Sequence, residues 1–410
     1  MEQVAGRRGG MLRRIPGIGS DMGLGRNNLV IFWAMFFNEV SFGFYQTLAP
    51  LYIGSLGASP RLIGLVIGIQ GLARLLFLMP AGMVADRVPL RRLIVGARAL
   101  TVVGLVLYGL AHTWWQLFPA IALLAAGNIA FPAISKVIAD STDNKGRTRA
   151  FTLIYTVGPS TALLLSPSLG GVLADQVSLR SIFFAAAIAQ GIAVLFFSRL
   201  QPVEAETEEQ QAARGGYRKV LAYKPIVVVC GLFLAMLLVL TTGFTLVPNF
   251  LQDVHGLRIQ TIGQFGSVFA LGSVCLGLLI SKVKAFSPPM TALILTIALC
   301  PLAFLLLISG GSTWLFAMSY FCRGGYLVSW GLIYAALGEV TPEHLRSRSF
   351  ALAELLGGAG FAIAPFVAGA LYEVDPAMPI YVALIASLPL LGAAIIVRRY
   401  VHQVQSAVAA

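Results

Sequence analysis

Residues 288–309 read PPMTALILTIALCPLAFLLLIS, an uninterrupted apolar stretch without a charged side chain. A helix needs about 20 such residues to cross the hydrocarbon core of a bilayer. Twelve stretches of this kind follow one another, each continuous rather than alternating, which predicts helices and not a β-barrel. We therefore predict an all-α integral membrane protein with twelve transmembrane helices, at residues 29–53, 60–84, 92–111, 116–138, 150–173, 180–199, 224–250, 259–281, 288–309, 314–338, 348–372 and 379–399.

The composition excludes most other classes of protein. Of the 410 residues, 58% are apolar and 11% are charged, whereas soluble domains average about 45–50% and about 25%. The net charge of +12 is scattered in short groups between apolar stretches, so it does not indicate a nucleic-acid surface. The four cysteines lie inside apolar stretches without a partner motif. We therefore predict neither a metal site nor a cofactor.

Positive charges are unevenly divided between the two sets of loops. The tails and loops on one side carry 22 Lys and Arg residues, against three on the other side, Arg61, Arg180 and Arg258. Cytoplasmic loops of membrane proteins are enriched in these residues. We therefore expect a multi-pass protein of the inner or plasma membrane with cytoplasmic tails at 1–28 and 400–410. A charge-rich cytoplasmic linker at 200–223 separates the predicted lobes at 29–199 and 224–399.

The two halves of the chain repeat each other at an offset of 199 residues. Gly57 and Gly64 recur as Gly256 and Gly263 in equivalent positions. A second group, Asp140, Arg147, Arg149, Phe151 and Gly170, recurs as Glu339, Arg346, Arg348, Phe350 and Gly369. The repeat predicts two pseudo-symmetric six-helix bundles, the architecture of a large class of secondary transporters.

The loop after the second helix reads GMVADRVPLRR at residues 82–92. It resembles the signature loop of the major facilitator superfamily, and the twelve helices, the repeat and the linker fit the same family over nearly the whole chain. Pro89 departs from the glycine that the family usually has. From the residues alone, the loop is either a gate or a positively charged anchor with one incidental aspartate. The resemblance implies a cytoplasmic gate formed by Gly82, Asp86, Arg87, Arg91 and Arg92.

A second resemblance concerns the drug–proton antiporter branch of that superfamily. In that branch the fifth helix ends in Gly-Pro-x-x-Gly-Gly, and here Pro167, Gly170 and Gly171 match while Ser166 replaces the first glycine. The arginine that the branch usually carries on the fourth helix is missing. The resemblance implies antiport, and a kinked, tightly packed helix is the alternative interpretation.

Charged side chains inside the spans are candidates for function, because an ionised group at mid-bilayer costs about 2.5–3.5 kcal/mol on insertion scales. Glu39 lies ten residues into the first span, among aromatic residues. Removal from water favours the neutral form of a carboxyl group, so we predict that Glu39 carries a coupled proton, with a structural ion pair as the alternative. The predicted substrate cavity is lined by Asn38, Tyr45, Arg74, Arg323, Tyr326 and Trp330.

Three further charged residues lie nearer to the predicted cytoplasmic ends of their spans, and these are Arg98, Lys136 and Glu354. Long side chains in such positions commonly reach out to the interface. We expect them to do so or to form ion pairs between the lobes. The family's architecture would place the helices of Glu39 and Arg323 on opposite sides of a central cavity.

Motifs of enzymes and ATP-driven pumps are absent, since the chain has no GxxxxGK[ST], HExxH or GxSxG sequence. We predict a proton-coupled secondary transporter, not an enzyme, which alternates access between two lobes and exports small hydrophobic or drug-like compounds as a monomer. Its partners are the substrate, protons and the bilayer. One alternative is uptake or exchange of a sugar or organic anion, with Arg323 binding a carboxylate. Another is a membrane sensor without transport.

Overall fold

The computed structural model describes residues 24–78, 88–142, 149–201, 218–342 and 345–409, and within these ranges the chain is helical without a strand. Nine helical stretches in the described ranges are long and apolar enough to cross a membrane. Three of the predicted spans fall outside that set. The first carries several polar residues, the sixth has 17 helical residues, and the tenth is interrupted after Arg323. The predicted all-α membrane fold is confirmed.

We number the spans in chain order and use these numbers below. They are formed by Arg26–Tyr45 with Ala49–Ser55 (span 1), Pro60–Leu78 (span 2), Leu90–Leu110 (span 3), Leu117–Gly127 with Ala130–Asp140 (span 4), Leu153–Val157 with Gly158–Gln176 (span 5), Ser181–Phe197 (span 6), Lys224–Phe244 with Val247–Asp253 (span 7), Ile259–Lys282 (span 8), Pro289–Ile308 (span 9), Thr313–Arg323 with Gly325–Val340 (span 10), Arg346–Val374 (span 11) and Met378–Ala409 (span 12). A short helix, Arg218–Ala222, precedes span 7. The end of the molecule that carries Arg26 is called the terminal end, and the opposite end the distal end.

The repeat of 199 residues is visible in the helix boundaries. Span 2 begins at Pro60 and span 8 at Ile259. Each of these spans is preceded by a glycine with a positive φ, 84° at Gly57 and 63° at Gly256. Glycine takes this left-handed conformation without the steric cost that a Cβ would add. The same turn is therefore built twice, and the two bundles are structural repeats.

Spans 2 and 11 join the two lobes through backbone contact. A Cβ atom on Gly68 would lie 2.6 Å from the carbonyl oxygen of Ala362, and one on Gly71 would lie 2.7 Å from that of Phe361. No real Cβ tolerates such a distance, so these glycines permit the close approach. In lipid there is no hydrophobic driving force between helices, so their association depends on close packing. Small residues at the interface permit that packing.

Spans 5 and 8 form the second, pseudo-symmetric contact between the lobes. A Cβ atom on Gly171 would lie 2.8 Å from the carbonyl oxygen of Gln260 and 2.9 Å from the Cα of Gly263. Further along the pair, the Ser168 hydroxyl donates a hydrogen bond of 2.7 Å to the Ser267 hydroxyl. This contact places Gly171 of the predicted helix-five motif at the interface between the lobes.

Polar contacts close the distal end of both helix pairs. Arg258 at the start of span 8 forms an ion pair of 2.7 Å with Asp175 at the end of span 5. In the other pair, Glu373 near the end of span 11 accepts a hydrogen bond of 2.8 Å from the Ser59 hydroxyl, just before span 2. Ser59 and Arg258 are equivalent in the repeat. We call these two contacts the distal latches.

The predicted gate loop is only partly within the described ranges. The residues outside them are Gly82, Asp86 and Arg87. Arg91 donates a hydrogen bond to the carbonyl oxygen of Ser198, joining the start of span 3 to the end of span 6. Arg92 is exposed. The part of the loop that the structure describes therefore contacts the N-terminal lobe, and the gate remains a prediction.

Candidate transport site between the lobes

A chain of polar side chains lies inside the N-terminal lobe. Arg98 of span 3 donates a hydrogen bond of 3.0 Å from Nη1 to Oδ1 of Asn38 in span 1. The Nδ2 of Asn38 donates in turn to Oε1 of Glu39 at 3.1 Å. Arg98 is 4% exposed and Asn38 is 9% exposed. Asn38 therefore connects a buried guanidinium to the carboxyl group for which proton transfer was predicted.

The position of Arg98 corrects a prediction. We expected its side chain to reach the membrane interface or to pair between the lobes, but it points into its own lobe. Its guanidinium lies 4.8 Å from the centre of the Phe131 ring, and its Nε and Nη2 atoms are buried without a hydrogen-bond partner among the described residues. A signal was available in the sequence, because Arg98 lies eight residues inside span 3, or about 12 Å along a helix.

Tyr45 belongs to the same lobe. Its ring stacks on that of Phe183 in span 6 at a centroid distance of 5.5 Å, and its hydroxyl is within electrostatic reach of Glu39 and Arg98. The helix-five residues of the sequence prediction lie nearby. Pro167 is buried inside span 5, and Gly170 packs against the backbone of Phe44 in span 1.

Arg323 occupies a different environment in the C-terminal lobe. Its guanidinium lies 4.5 Å from the ring centre of Phe244 in span 7 and 5.0 Å from that of Phe269 in span 8. The ring of Tyr320, one turn earlier in span 10, is 5.7 Å away. Within the described residues no carboxylate lies within ion-pair distance of Arg323. Three aromatic faces surround this cation, and such faces attract it through their quadrupoles.

An aromatic wall continues from Arg323 along the same face of span 10. The Tyr326 ring lies 6.5 Å from that of Phe361 in span 11, and Trp330 stacks on Phe361 at 6.0 Å with an interplanar angle of 9°. Phe233 of span 7 meets the edge of Trp330 at 4.9 Å. We call Tyr326, Trp330 and Phe361 the aromatic wall.

Arg74 and Glu354 are charged residues of spans 2 and 11, the helix pair that joins the lobes. Both are solvent-exposed. Glu354 accepts a hydrogen bond from the Tyr334 hydroxyl, and Arg74 is within electrostatic reach of Tyr334 and Tyr326. Charged groups in packed spans face water or protein rather than lipid, so Arg74 and Glu354 are candidates to line the predicted cavity between the lobes.

The structure brings only some of the predicted site residues together. Glu39 and Asn38 lie with Arg98 in the N-terminal lobe, while Arg323, Tyr326 and Trp330 share one face of span 10. Glu39 forms neither a hydrogen bond nor an ion pair with Arg323 among the described side chains. The described part of the chain also contains no group of three or more His, Cys, Asp or Glu residues that could hold a metal ion.

The sequence profile of the Major Facilitator Superfamily matches residues 31–365, most of the chain. The chain belongs to the Major Facilitator Superfamily. The resemblance that rested on the loop at 82–92 is confirmed, and the chain is a multi-pass membrane protein of a transporter family, not of an enzyme family. Its helical membrane fold is that of this superfamily.

Two curated members of the superfamily and one solved structure are similar to this chain. Inner membrane transport protein YajR of Escherichia coli is 29% identical over 200 residues, 48% of this chain and 44% of that protein. Multidrug resistance protein MdtG of Citrobacter koseri is 30% identical over 189 residues, 43% of this chain and 46% of that protein. The match therefore spans less than half of either relative. The nucleoside transporter NupG has a TM-score of 0.72 at 15% identity, over 93% of this chain and 99% of that one, which shows a shared fold.

Proposed function

We propose that this protein is a proton-coupled transporter that exports small, largely apolar compounds by alternating access between its two lobes. The observation that carries the proposal is the hydrogen-bonded chain from Glu39 through Asn38 to Arg98. The similarity to a multidrug resistance protein supports export of drug-like compounds. The uneven distribution of Lys and Arg supports cytoplasmic termini in a cell membrane.

Glu39 suits proton coupling because its surroundings can accommodate both of its charge states. When the carboxyl group is protonated, it is neutral among the aromatic residues of span 1, and one of its oxygens still accepts the hydrogen bond from Asn38. When it is ionised, the Asn38 amide donates a hydrogen bond to the carboxylate and accepts one from Arg98. The guanidinium of Arg98 is then the counter-charge, two hydrogen bonds away. Glu39 thus has a counter-charge inside its own lobe, with Arg74 of the same lobe also within electrostatic reach, while Arg323 has no described carboxylate partner and is available to a substrate.

The energy available to such a carrier is sufficient for accumulation. One charge that moves through 100 mV supplies about 2.3 kcal/mol, and each 1.4 kcal/mol is a factor of about ten in concentration. One proton per cycle would therefore support a concentration ratio of about fifty. Opening the cavity to each side in turn requires the distal latches to break in every cycle.

Gradient-driven flux into proteoliposomes tests the proposal. With a pH gradient and a panel of lipophilic fluorescent compounds, we expect accumulation by the wild-type protein. Glu39→Gln imitates the protonated carboxyl, so it should exchange compound across the bilayer but lose accumulation against a gradient. Glu339→Gln is the matched control, because Glu339 is an exposed carboxylate near the end of span 10 that accepts a hydrogen bond from Gln405 of span 12.

Accumulation by Glu39→Gln at the wild-type level would show that protons are not carried at Glu39. Absence of any gradient-dependent flux in the wild-type protein would contradict proton coupling as a whole and leave a facilitator or a sensor. The direction of the gradient that drives uptake into the vesicles separates export from the alternative, uptake or exchange of an organic anion. That alternative is supported by the absence of a described carboxylate partner for Arg323.

A further inference from the structure

We propose that Arg323 and Arg74 form an anion-binding site beside the aromatic wall, and that the compounds transported are amphipathic organic anions. Such a compound has an aromatic or apolar body and one carboxylate, sulfonate or phosphate group. The inference rests on the proposed function in one respect, that the cavity between the lobes is the transport route. It adds the chemical class of the substrate.

The first argument is the unused hydrogen-bonding capacity of Arg323. A guanidinium has five N–H donors at its edge, whereas aromatic rings interact with its flat face. Phe244, Phe269 and Tyr320 occupy positions around the group, and no described hydrogen bond uses its N–H donors. The attraction of rings for the flat face of the cation does not replace the charged hydrogen bonds that a carboxylate would accept from its edge.

The second argument places Arg74 at the height of the aromatic wall. Gly71 contacts the backbone of Phe361, and Leu75 contacts Gly358 one turn away in span 11. Arg74 lies between these two contact points in the sequence, and residues three or four apart share a helix face. Its side chain is exposed rather than packed between the helices. Its charge reaches Glu39 in the N-terminal lobe and Tyr326 and Tyr334 in the C-terminal lobe, so Arg74 lies on a side of span 2 that faces both lobes.

Tyr326 connects the two arginines. Its hydroxyl is within electrostatic reach of both Arg323 and Arg74, and its ring belongs to the aromatic wall. One guanidinium from each lobe thus acts on the same part of the cavity. An anion bound there would be shared between the lobes, and planar guanidinium groups hold carboxylates and phosphates with paired hydrogen bonds.

The charges of the described cavity are not balanced without a ligand. Three cations belong to the predicted cavity or to its N-terminal wall, namely Arg74, Arg98 and Arg323. The two carboxyl groups near them are Glu39 and Glu354. Glu39 is linked through Asn38 to Arg98, and Glu354 accepts from Tyr334. Arg323 is left without a described carboxylate, and Arg74 has Glu39 within electrostatic reach but forms no ion pair among the described residues. The stacked rings of Trp330 and Phe361 beside them offer an apolar surface of the kind that binds the body of a small molecule.

Binding of three matched probes to the purified full-length protein tests the inference. The probes are naphthoate, naphthamide and naphthylmethylammonium, which share one aromatic body and differ in charge. We expect naphthoate to bind at least about tenfold more tightly than the other two, as measured by calorimetry at low salt, since one charge-assisted hydrogen bond contributes about that factor. The preference should weaken as ionic strength rises.

Two pairs of variants assign the site. Arg323→Gln and Arg74→Gln should each lower naphthoate affinity about tenfold and leave naphthamide binding unchanged. Arg323→Lys and Arg74→Lys keep the charge, so they should retain part of the preference for naphthoate over naphthamide. They also show whether the loss of naphthoate affinity in the Gln variants reflects misfolding. Arg61→Gln is the control, because Arg61 is an exposed arginine at the distal start of span 2.

Several results would overturn the inference. These are equal binding of the three probes, tighter binding of the ammonium probe, or a naphthoate preference that survives both Gln substitutions. The outcome is independent of proton coupling. If neutral or cationic compounds are accumulated by a pH gradient and naphthoate does not bind, the proposed function stands and the anion site falls. If naphthoate binds but a pH gradient does not drive its accumulation, the anion site stands and the proposed proton coupling falls.

Discussion

Arg98 is the residue with the least compensated polar surface in the N-terminal lobe. It is nearly fully buried, and of its three nitrogen atoms only Nη1 has a described hydrogen bond. Phe131 covers part of the guanidinium. A buried polar group that loses its partner costs about 1–3 kcal/mol, whereas replacement of both partners by apolar groups is nearly neutral. Asn38 and Arg98 should therefore behave as a unit.

A double-mutant cycle tests that coupling. We expect Asn38→Leu and Arg98→Met each to lower the free energy of unfolding, and the double variant to lower it by about 1–3 kcal/mol less than the sum of the two. Chemical unfolding in detergent measures all three values. Arg92→Met combined with Asn38→Leu is the control and should be additive, because Arg92 is exposed at the start of the same span. Additivity in the Asn38–Arg98 cycle would refute the contact.

The sequence predicted single residues unevenly. Glu39 and Asn38 could be proposed as site residues because a carboxyl group inside an apolar stretch is conspicuous. The role of Arg98 was missed because its partner lies 60 residues away in span 1, and no periodicity within one helix reveals a contact between two helices. For Arg323 the sequence predicted a place in the cavity, but not the three rings around it, which come from spans 7, 8 and 10.

At the scale of helices, most ends of the spans could be predicted closely because hydrophobicity changes sharply there, but the helix of span 12 continues past the predicted end at residue 399 to Ala409. The stretch 288–309 became the helix Pro289–Ile308. Interruptions within spans could not be predicted in this way. Span 10 breaks at Gly324, where a Cβ would collide with the backbone of Gly272 in span 8. Such breaks depend on how closely a neighbouring helix approaches, which hydrophobicity does not encode.

The glycines between spans 2 and 11 yield a prediction for these helices. Gly68→Ala would add a Cβ only 2.6 Å from the carbonyl oxygen of Ala362. This distance is too short for a van der Waals contact, so the helices must separate. We expect a smaller population of the distally closed state and slower transport. Electron–electron distance measurements between spin labels at Val177 and Trp314, both exposed at the distal end, would detect the change.

Gly191→Ala in span 6 is the matched control for Gly68→Ala, because nothing lies within 4 Å of its Cβ position. It should leave both the distance distribution and the transport rate unchanged. An identical distance distribution in Gly68→Ala and the wild-type protein would show that the contact between spans 2 and 11 does not set the closed state.

For the whole molecule, the two lobes are closed at the distal end by contacts that follow the pseudo-symmetry. Each lobe contributes the end of one helix and the start of another, and each distal latch joins one carboxylate to the opposite lobe. Arg258 is 74% exposed and Asp175 is 14% exposed in their ion pair. Exposed ion pairs contribute about 0–1 kcal/mol, so a latch of this kind is strong enough to bias the closed state and weak enough to open in each cycle.

Charge exchange across this ion pair tests the latch and fixes its magnitude. Asp175→Arg alone places two cations together and should shift the population toward distal opening by about fivefold, which corresponds to about 1 kcal/mol. Asp175→Arg combined with Arg258→Asp restores an ion pair of reversed polarity and should return the population most of the way to wild type. The difference between the single and double variants should shrink at high salt, because exposed charges are screened within about 10 Å at 0.1 M ionic strength. Single-molecule energy transfer between the labelled distal ends measures these populations. If the double variant remains as open as the single one, the carboxylate and guanidinium do not act on each other, and the glycine contacts alone hold the lobes closed.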